Sequence, residues 1–203
     1  MIKIGITGGI GCGKSEVCKQ LRKAGIPIIP SDLLARKLID TDEKIKQELI
    51  KAFGDIYTPD GLLNREKVAA IIFRDQRAKE TINRIVHPVV IAKEHQILDR
   101  IRNSGKFKIA GVEAALIYEA GSDQYFDFII VVAASPETVI RRLKNRDGLT
   151  EEQIQQRIQS QMPLSEKINR ADYVIYNNGS LEELKIEIEN LLQWLNKKFT
   201  ISH

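Results

Sequence analysis

Residues 8–15 read GGIGCGKS and match the G-x-x-x-x-G-K-[ST] pattern of a phosphate-binding loop. Such a loop turns its backbone N–H groups inward around an anion, and glycine is needed where a side chain would obstruct the approach. Residues 2–7 form a short apolar run typical of a buried strand, and a helical pattern begins at Lys14. This order of strand, loop and helix favours a phosphate site over a chance glycine-rich turn.

The motif assigns roles to its fixed positions Gly8, Gly13, Lys14 and Ser15. The start of the helix adds a partial positive charge to the inward N–H groups. Lys14 is expected to reach the β- and γ-phosphates of a nucleotide, and Ser15 to ligate Mg²⁺. The predicted cofactors are therefore ATP and Mg²⁺.

Other nucleotide-binding classes fit the chain poorly. A GTPase needs a guanine-reading N-K-x-D and a D-x-x-G switch, and an ABC-type ATPase needs an L-S-G-G-Q-like signature. The sequence contains none of these. A short chain with arginine-bearing helices near its end and a long helical stretch near its middle suggests a small-molecule kinase.

Two carboxylates follow predicted strands, and in a parallel sheet such positions lie at the ligand-binding edge. Asp32 follows the second strand, where it could accept a hydroxyl proton and hold Mg²⁺ through water, or equally serve as a helix N-cap. Glu113 follows the third strand. It could contact water bound to Mg²⁺, or it could be an exposed residue at the end of a strand.

Basic residues concentrate near residues 141–157, and a kinase needs cations that close over the transferred phosphoryl group. Arg146, beside a possible hinge at Gly148, is the first candidate for this role, and Arg157 is the second. Arg141 and Arg142 are interpreted as surface residues, because a run of charge is commonly a solvated helix face. His87 precedes a proline in the helical stretch, which favours a structural or substrate-contacting role over a catalytic base.

Strands alternating with helices predict an α/β fold of the P-loop NTPase type, with about five parallel strands and helices on both faces. Residues 40–104 are almost wholly helical, too long for a simple crossover, and indicate an inserted helical sub-domain that Pro88 kinks or restarts. Helix N-caps are predicted at Asn64, Ser135, Thr150 and either Ser31 or Asp32. The strands are predicted at 2–7, 26–29, 106–112, 126–134 and 172–179.

The composition fits a cytoplasmic enzyme that acts on an anionic small molecule. The net charge of +4 is only mildly basic and does not call for nucleic acid. The first apolar segment is too short for a signal peptide, and no run could span a bilayer. Cys12 and Cys18 are six residues apart and would face different directions on a helix, so we expect no disulfide. No obligate protein partner is indicated.

Several stretches together give the chain a resemblance to the dephospho-CoA kinase family over nearly its whole length. The glycine loop is shared by many families, whereas the HP segment and the long stretch from Asn145 are far more specific. The stretches are TGGIGCGKS from Thr7, SDLLAR from Ser31, DGLLNR from Asp60, INRIVHPVV from Ile82, LIYEAG from Leu116 and NRDGLTEEQIQQRIQSQMPLSEKINRADYVIYNNGSLEEL from Asn145.

The resemblance implies transfer of the ATP γ-phosphoryl group to the ribose 3′-hydroxyl of dephospho-CoA, the last step of coenzyme A synthesis. It implies a nucleotide-binding core at 1–34, 106–145 and 172–203, a helical CoA-binding region at 35–105 and a lid at 146–171. Asp32 becomes the general base, Arg146 a lid contact to phosphate, and Asn178 a neighbour of the adenine. The ATP-binding loop becomes Gly11, Cys12, Gly13, Lys14, Ser15 and Glu16.

The chain departs from the family pattern at three points. Residues 30–32 read PSD where the family commonly has DAD, so only the second aspartate is kept. Residues 113–119 read EAALIYE where DVPLLFE is usual, so Glu113 replaces an aspartate. Glu16 replaces the usual threonine after the loop serine, and we expect its carboxylate to point outward, away from phosphate.

Overall fold

The computed structural model describes residues 1–75 and 77–201; Gln76 and residues 202–203, parts of the predicted sub-domain and core, lie outside the described residues. Strands and helices alternate along most of the chain, as the sequence predicts. In chain order the elements are β1 Ile2–Gly8, α1 Lys14–Lys23, β2 Ile28–Pro30, α2 Ser31–Thr41, α3 Glu43–Phe53, α4 Arg65–Arg74, α5 Arg77–Asn103, β3 Ile109–Glu113, β4 Phe128–Ala133, α6 Pro136–Asp147, α7 Glu151–Gln159, α8 Leu164–Asn169, β5 Tyr173–Tyr176 and α9 Leu181–Ile201.

The five strands form one parallel sheet in the order β2-β3-β1-β4-β5, which confirms the predicted fold class. β1 lies at the centre, with Ile6 level with Glu113 of β3 and Gly8 level with Val132 of β4. Strands covered on both faces read as continuous apolar runs rather than alternating ones. β1, β3 and β4 are buried along almost their whole length, which explains why their sequences are mostly apolar without alternation.

Helices cover the sheet with apolar stripes at helical spacing. α1 buries Val17, Cys18 and Leu21 in the main core. α9 buries four leucine and isoleucine side chains on one face: Leu184, Ile188, Leu191 and Leu195. Both cysteines of the chain are free thiols in this core.

Residues 30–97 form a second compact unit, and the remaining residues form the first. The second unit has its own apolar core, in which Ile45 and Leu49 of α3 pack with Val86 and Val90 of α5. α5 continues through Pro88, so the predicted restart of the helix is wrong. Burial of Val86 and Val90 on both sides of the proline offsets the lost backbone hydrogen bond, which costs about 3 kcal/mol or more.

Helix starts follow the predicted capping chemistry at three positions. The side chains of Asn64, Ser135 and Thr150 each accept a hydrogen bond from the backbone N–H three residues on. α2 differs, because its N-cap is Pro30 and no side chain caps it. β2 runs directly into α2, which leaves no position before the helix for a capping serine or aspartate.

An aromatic cluster closes the core at the start of β4 and β5. Trp194 of α9 packs edge-on against Phe128, with ring centroids 5.0 Å apart, and against Tyr173 at 5.3 Å. Phe128 and Tyr173 are the first residues of their strands, so the cluster lies at the amino edge of the sheet. Across residues 1–75 and 77–201, no helix combines the length and apolar character needed to cross a bilayer.

Replacing the α6 cap tests the contribution of local capping to stability. We expect Ser135→Ala to lower the free energy of unfolding by about 1 kcal/mol, because the Thr138 N–H loses its side-chain acceptor. In a chain of this size that loss lowers the melting temperature by roughly 2–4 °C. Calorimetry would measure it, with Ser165→Ala on the exposed face of α8 as the control. An equal shift in both variants would contradict the assignment of the cap.

Candidate active site

The glycine loop lies between β1 and α1, at the carboxyl edge of the central strand. Gly13 is in the left-handed region, with φ of 87°, which side chains rarely adopt. A Cβ atom at Gly13 would also collide with the side-chain nitrogen of Asn177. Both constraints explain why the motif carries glycine immediately before Lys14, the first residue of α1.

Asn177 fixes the loop from the end of β5. It is 5% exposed; its Nδ2 donates to the backbone oxygen of Cys12 at 2.9 Å, and its Oδ1 accepts from Arg142 at 3.3 Å. Asn177 is not among the residues predicted from the sequence. The signal was available, because buried Ile175 two positions earlier places Asn177 on the same face of the strand.

Arg142 lies beside the loop, so its interpretation as a surface residue is wrong. Its guanidinium contacts Asn177, and its Nη1 is buried without a hydrogen-bond partner among the described residues. The same nitrogen lies 3.6 Å from where a Cβ of Gly13 would be. Arg141, its neighbour in α6, is exposed as expected. Arg142 therefore adds a cation next to the N–H groups of the loop.

Ser15 and Glu113 meet at the carboxyl edge of the sheet, because β1 and β3 are adjacent parallel strands. The Ser15 hydroxyl donates to Glu113 Oε1 at 2.7 Å, and Arg22 of α1 contacts Glu113 Oε2 at 3.3 Å. Glu113 is only 9% exposed, so it is not the exposed strand-end residue of the alternative interpretation. The pKa of the Cys18 thiol is raised, first by burial and then by the nearby negative charge of Glu113, which would repel a thiolate.

Glu16 lies along the outer surface of α1. Its carboxylate accepts from Gln20 at 2.6 Å and from Lys19 at 3.3 Å, which lowers the pKa of Glu16. Both partners lie further along the same helix. Their positions agree with the expectation that the carboxylate turns away from the loop.

Asn178 follows Asn177 and has a different partner. Its side-chain oxygen accepts from the backbone N–H of Ser135 at 2.7 Å, which joins the end of β5 to the start of α6. The residue is exposed. Its proposed contact with adenine stays a prediction.

Arg146 and Arg157 converge on one carboxylate. Arg146 donates two hydrogen bonds to Asp147, at 2.7 and 2.8 Å, and Arg157 lies 3.8 Å from the same side chain. The Arg146 hydrogen bonds hold the pKa of Asp147 below its usual range and raise the pKa of Arg146. Both arginines are exposed on the segment predicted to be the lid, so a phosphate group could replace Asp147 as the partner of either arginine.

An open pocket of about 240 Å³ adjoins the loop. Its walls come from the loop, the end of β4 and the helices of the predicted lid, and they are mostly apolar. The residues that line it are Gly9, Ile10, Cys12, Ala134, Pro136, Val139, Gln155, Ile158, Gln161, Met162 and Leu164.

Asp32 lies in the second unit, in the first turn of α2, and is exposed. Since Pro30 is the N-cap, the capping alternative for Asp32 is wrong. A second carboxylate of this unit, Glu94 of α5, is 4% exposed, and its Oε1 has no partner within the described part of the chain. Burial raises the pKa of Glu94, a hydrogen bond from Ser31 lowers it, and the charge of Asp32 raises it.

His87 lies in the middle of α5 and is half-buried. Burial lowers its pKa and so favours the neutral imidazole. Among the residues that the structure describes, no acidic side chain is paired with it that would make it a stronger base.

A glycine loop on the central strand of a 2-3-1-4-5 parallel sheet, with an acid on the next strand and cations on the following helices, defines a P-loop kinase. The family model for dephospho-CoA kinase matches residues 2–183. The chain belongs to the dephospho-CoA kinase family. This result confirms the resemblance found in the sequence.

Individual relatives agree with this assignment. A protein of Listeria innocua named dephospho-CoA kinase is 38% identical over 96% of this chain and 98% of its own length. The solved dephospho-CoA kinase of Campylobacter jejuni is 25% identical, covers 97% of this chain and 98% of its own, and superposes with a TM-score of 0.72. A Thermus thermophilus crystal structure superposes with a TM-score of 0.80 at 34% identity, over 96% of this chain and 97% of its own.

Replacing Asn177 tests its support of the loop. Asn177→Leu keeps the approximate size but leaves the buried Cys12 carbonyl without its donor, which costs about 1–3 kcal/mol of stability. We expect a lower free energy of unfolding by urea titration. We also expect ATP binding about tenfold weaker by calorimetry, a loss of about 1.4 kcal/mol in binding free energy, because the loop is no longer held in one conformation. Asn169→Leu, on exposed α8, is the control. Wild-type ATP affinity in Asn177→Leu would exclude a role for this residue in shaping the loop.

Proposed function

We propose that the chain transfers the γ-phosphoryl group of ATP to the ribose 3′-hydroxyl of dephospho-CoA and forms coenzyme A and ADP. The observation that carries the proposal is the loop itself, with Asn177 and Arg142 packed beside Gly13, in a chain of the dephospho-CoA kinase family. The acceptor substrate is a small molecule, and no protein or nucleic acid partner is required. We further propose that the reaction takes place in the cytoplasm.

On the nucleotide side, the loop residues from Gly8 to Glu16 surround the phosphates. The inward N–H groups and Lys14 balance the charge of the β- and γ-phosphates, and Arg142 adds a second cation at the loop. Arg146 exchanges Asp147 for the transferred phosphoryl group. Because charge in a loose transition state spreads over the three equatorial oxygens, cations placed around them lower the barrier.

The residues beside the loop fit a Mg²⁺ ion in their donor chemistry. Mg²⁺ prefers oxygen ligands and keeps several waters, and the hydroxyl of Ser15 lies hydrogen-bonded to the carboxylate of Glu113. We assign Ser15 as a direct ligand, and Glu113 and Asp32 as acceptors for water in the ion's shell. When bound, the ion neutralises charge on the β- and γ-phosphates. Arg22 keeps Glu113 oriented by its ion pair.

On the acceptor side, Asp32 orients the 3′-hydroxyl and takes its proton. Because Asp32 does not cap α2, its carboxylate is available for this task. Since the transition state is loose, holding the hydroxyl in line with the phosphoryl group contributes more than strong basicity. The helical region 35–105 holds the rest of the substrate, and closure of the lid 146–171 excludes water that would hydrolyse ATP.

The proposal is tested by incubation of the protein with ATP, Mg²⁺ and dephospho-CoA, followed by mass analysis for coenzyme A. We expect coenzyme A from the wild-type protein, and about 10²–10³-fold lower kcat from Lys14→Ala, since a preorganised charge-stabilising group is removed. Lys19→Ala, on the exposed side of α1, is the control. ADP formation with other acceptors but not with dephospho-CoA would assign another small-molecule kinase. Near wild-type turnover by Lys14→Ala would remove the loop from the mechanism.

Asp32→Asn tests the acceptor side separately, because it keeps the shape of the side chain and removes the base. We expect kcat to fall by about 10²-fold or more, the lower range for a positioned general base. ATP affinity, measured by calorimetry, should stay within about twofold of wild type. Glu48→Gln, on an exposed face of α3, controls for loss of charge in the same unit. An unchanged rate of phosphoryl transfer would exclude Asp32 as the base.

A further inference from the structure

The peptide between Gly9 and Ile10, at the start of the loop, is held at both of its polar ends. Its N–H donates to the side-chain oxygen of Gln161 at 3.2 Å. Its carbonyl, on Gly9, accepts from the backbone N–H of Cys12 at 3.3 Å. The two bonds together define the orientation of the peptide plane.

This orientation matters because the loop binds anions through N–H groups. Gly9 has no Cβ to restrain rotation about the peptide, so the local sequence does not by itself prevent a flip. A flipped peptide would lose both hydrogen bonds and change the path of the loop backbone, and with it the positions of the other N–H groups that bind phosphate. Cys12 restrains the carbonyl from within the loop, whereas Gln161 restrains the N–H from outside.

Gln161 is itself anchored by a network of hydrogen bonds around the buried Lys167. The backbone N–H of the next residue, Met162, donates to Glu119 at 2.9 Å, and Lys167 contacts the same carboxylate oxygen at 2.8 Å. Lys167 is 0% exposed and also donates to the carbonyl of Ala115 at 2.8 Å. That carbonyl accepts a second hydrogen bond from Thr7 of β1, at 3.1 Å.

These contacts form a closed ring. It runs from the loop to Gln161, through Glu119 and Lys167 to Ala115, and back through Thr7, which is joined to the loop by Gly8. Because Lys167 is fully buried, loss of Glu119 would leave its charge out of water without this partner. The ring therefore anchors Gln161 to the same strand that carries the loop.

We propose that Gln161 is a positioning residue for phosphoryl transfer: its side-chain oxygen holds the Gly9–Ile10 peptide in place and so fixes the path of the loop, whose other N–H groups bind phosphate. Glu119 and Lys167 position Gln161 in turn. The inference rests on the proposed function in so far as ATP is the donor. It adds to the loop motif a residue more than 140 positions away in the sequence.

Two substitutions at one position separate the acceptor from the rest of the side chain. Gln161→Leu removes the oxygen and keeps the approximate size, and Gln161→Glu keeps an oxygen that can accept from Ile10. We expect Gln161→Leu to lower kcat by about 10- to 100-fold, because a small misplacement of groups that position the substrate can cost up to about 100-fold, with an unchanged KM for dephospho-CoA. At saturating ATP, Gln161→Glu should recover most of that loss. Gln193→Leu, exposed on α9 and outside the lid and the pocket, should have wild-type kcat.

A second readout does not depend on turnover. Hydrogen exchange of the Ile10 amide, followed by NMR, should be slow in the wild-type protein, faster in Gln161→Leu and slow again in Gln161→Glu. Wild-type kcat or unchanged Ile10 exchange in Gln161→Leu overturns the inference. Equal loss of kcat in the leucine and glutamate variants also overturns it, because the acceptor would then not be the group that matters. A wild-type protein that forms no coenzyme A would instead contradict the proposed function, and the exchange data would still decide the role of Gln161.

A double-mutant cycle tests the anchoring network. Glu119→Ala should lower kcat in the wild-type background and change it by less than about twofold in the Gln161→Leu background, since residues of one network are not additive. The rates are measured well below the melting temperature of each variant, which circular dichroism gives. Equal losses in both backgrounds would show that Glu119 does not act through Gln161, and would overturn the anchoring step.

Discussion

The parallel direction of neighbouring strands is the constraint on which the rest of the site depends. Because β1, β3, β4 and β5 all end at one edge of the sheet, residues far apart in sequence meet there without any long connection. Ser15 meets Glu113 across 98 positions, and Asn177 meets Cys12 across 165. An antiparallel neighbour on either side of β1 would place its carboxyl end at the opposite edge.

The loop is shaped as much by its surroundings as by its own sequence. Its glycines permit the turn, but they permit other conformations as well, and side chains from later elements select one of them. Asn177 occupies the space beside Gly13, and Gln161 binds the N–H of Ile10. Glycine therefore serves two purposes in the loop. It allows backbone conformations that other residues rarely adopt, and it leaves space for the side chains that restrict the loop to one of them.

Most of the fold and the nucleotide side of the site could be predicted from the sequence, because strands, caps and the glycine motif are local patterns. The partners of the loop could not. Arg142 lies in a helix rich in basic residues, and only three-dimensional packing distinguishes the arginine that faces the loop from Arg141. Lys167 occurs in a polar helix that predicts an exposed side chain, whereas tertiary contacts with Glu119 bury it completely. The predicted restart of the helix at Pro88 is wrong for the same reason, since packing of the second unit outweighs the local effect of the proline.

The aromatic cluster around Trp194 has a practical consequence. Trp194 is the single tryptophan of the chain, and it lies where β4 and β5 begin, whereas the loop lies where β1 ends. A six-residue strand is roughly 20 Å long, so the indole is remote from the nucleotide. Its intrinsic fluorescence therefore reports on the integrity of the main core and is insensitive to occupancy of the phosphate loop. The fluorescence of Trp194 therefore distinguishes substitutions that disturb the main core from substitutions that affect only nucleotide binding or phosphoryl transfer.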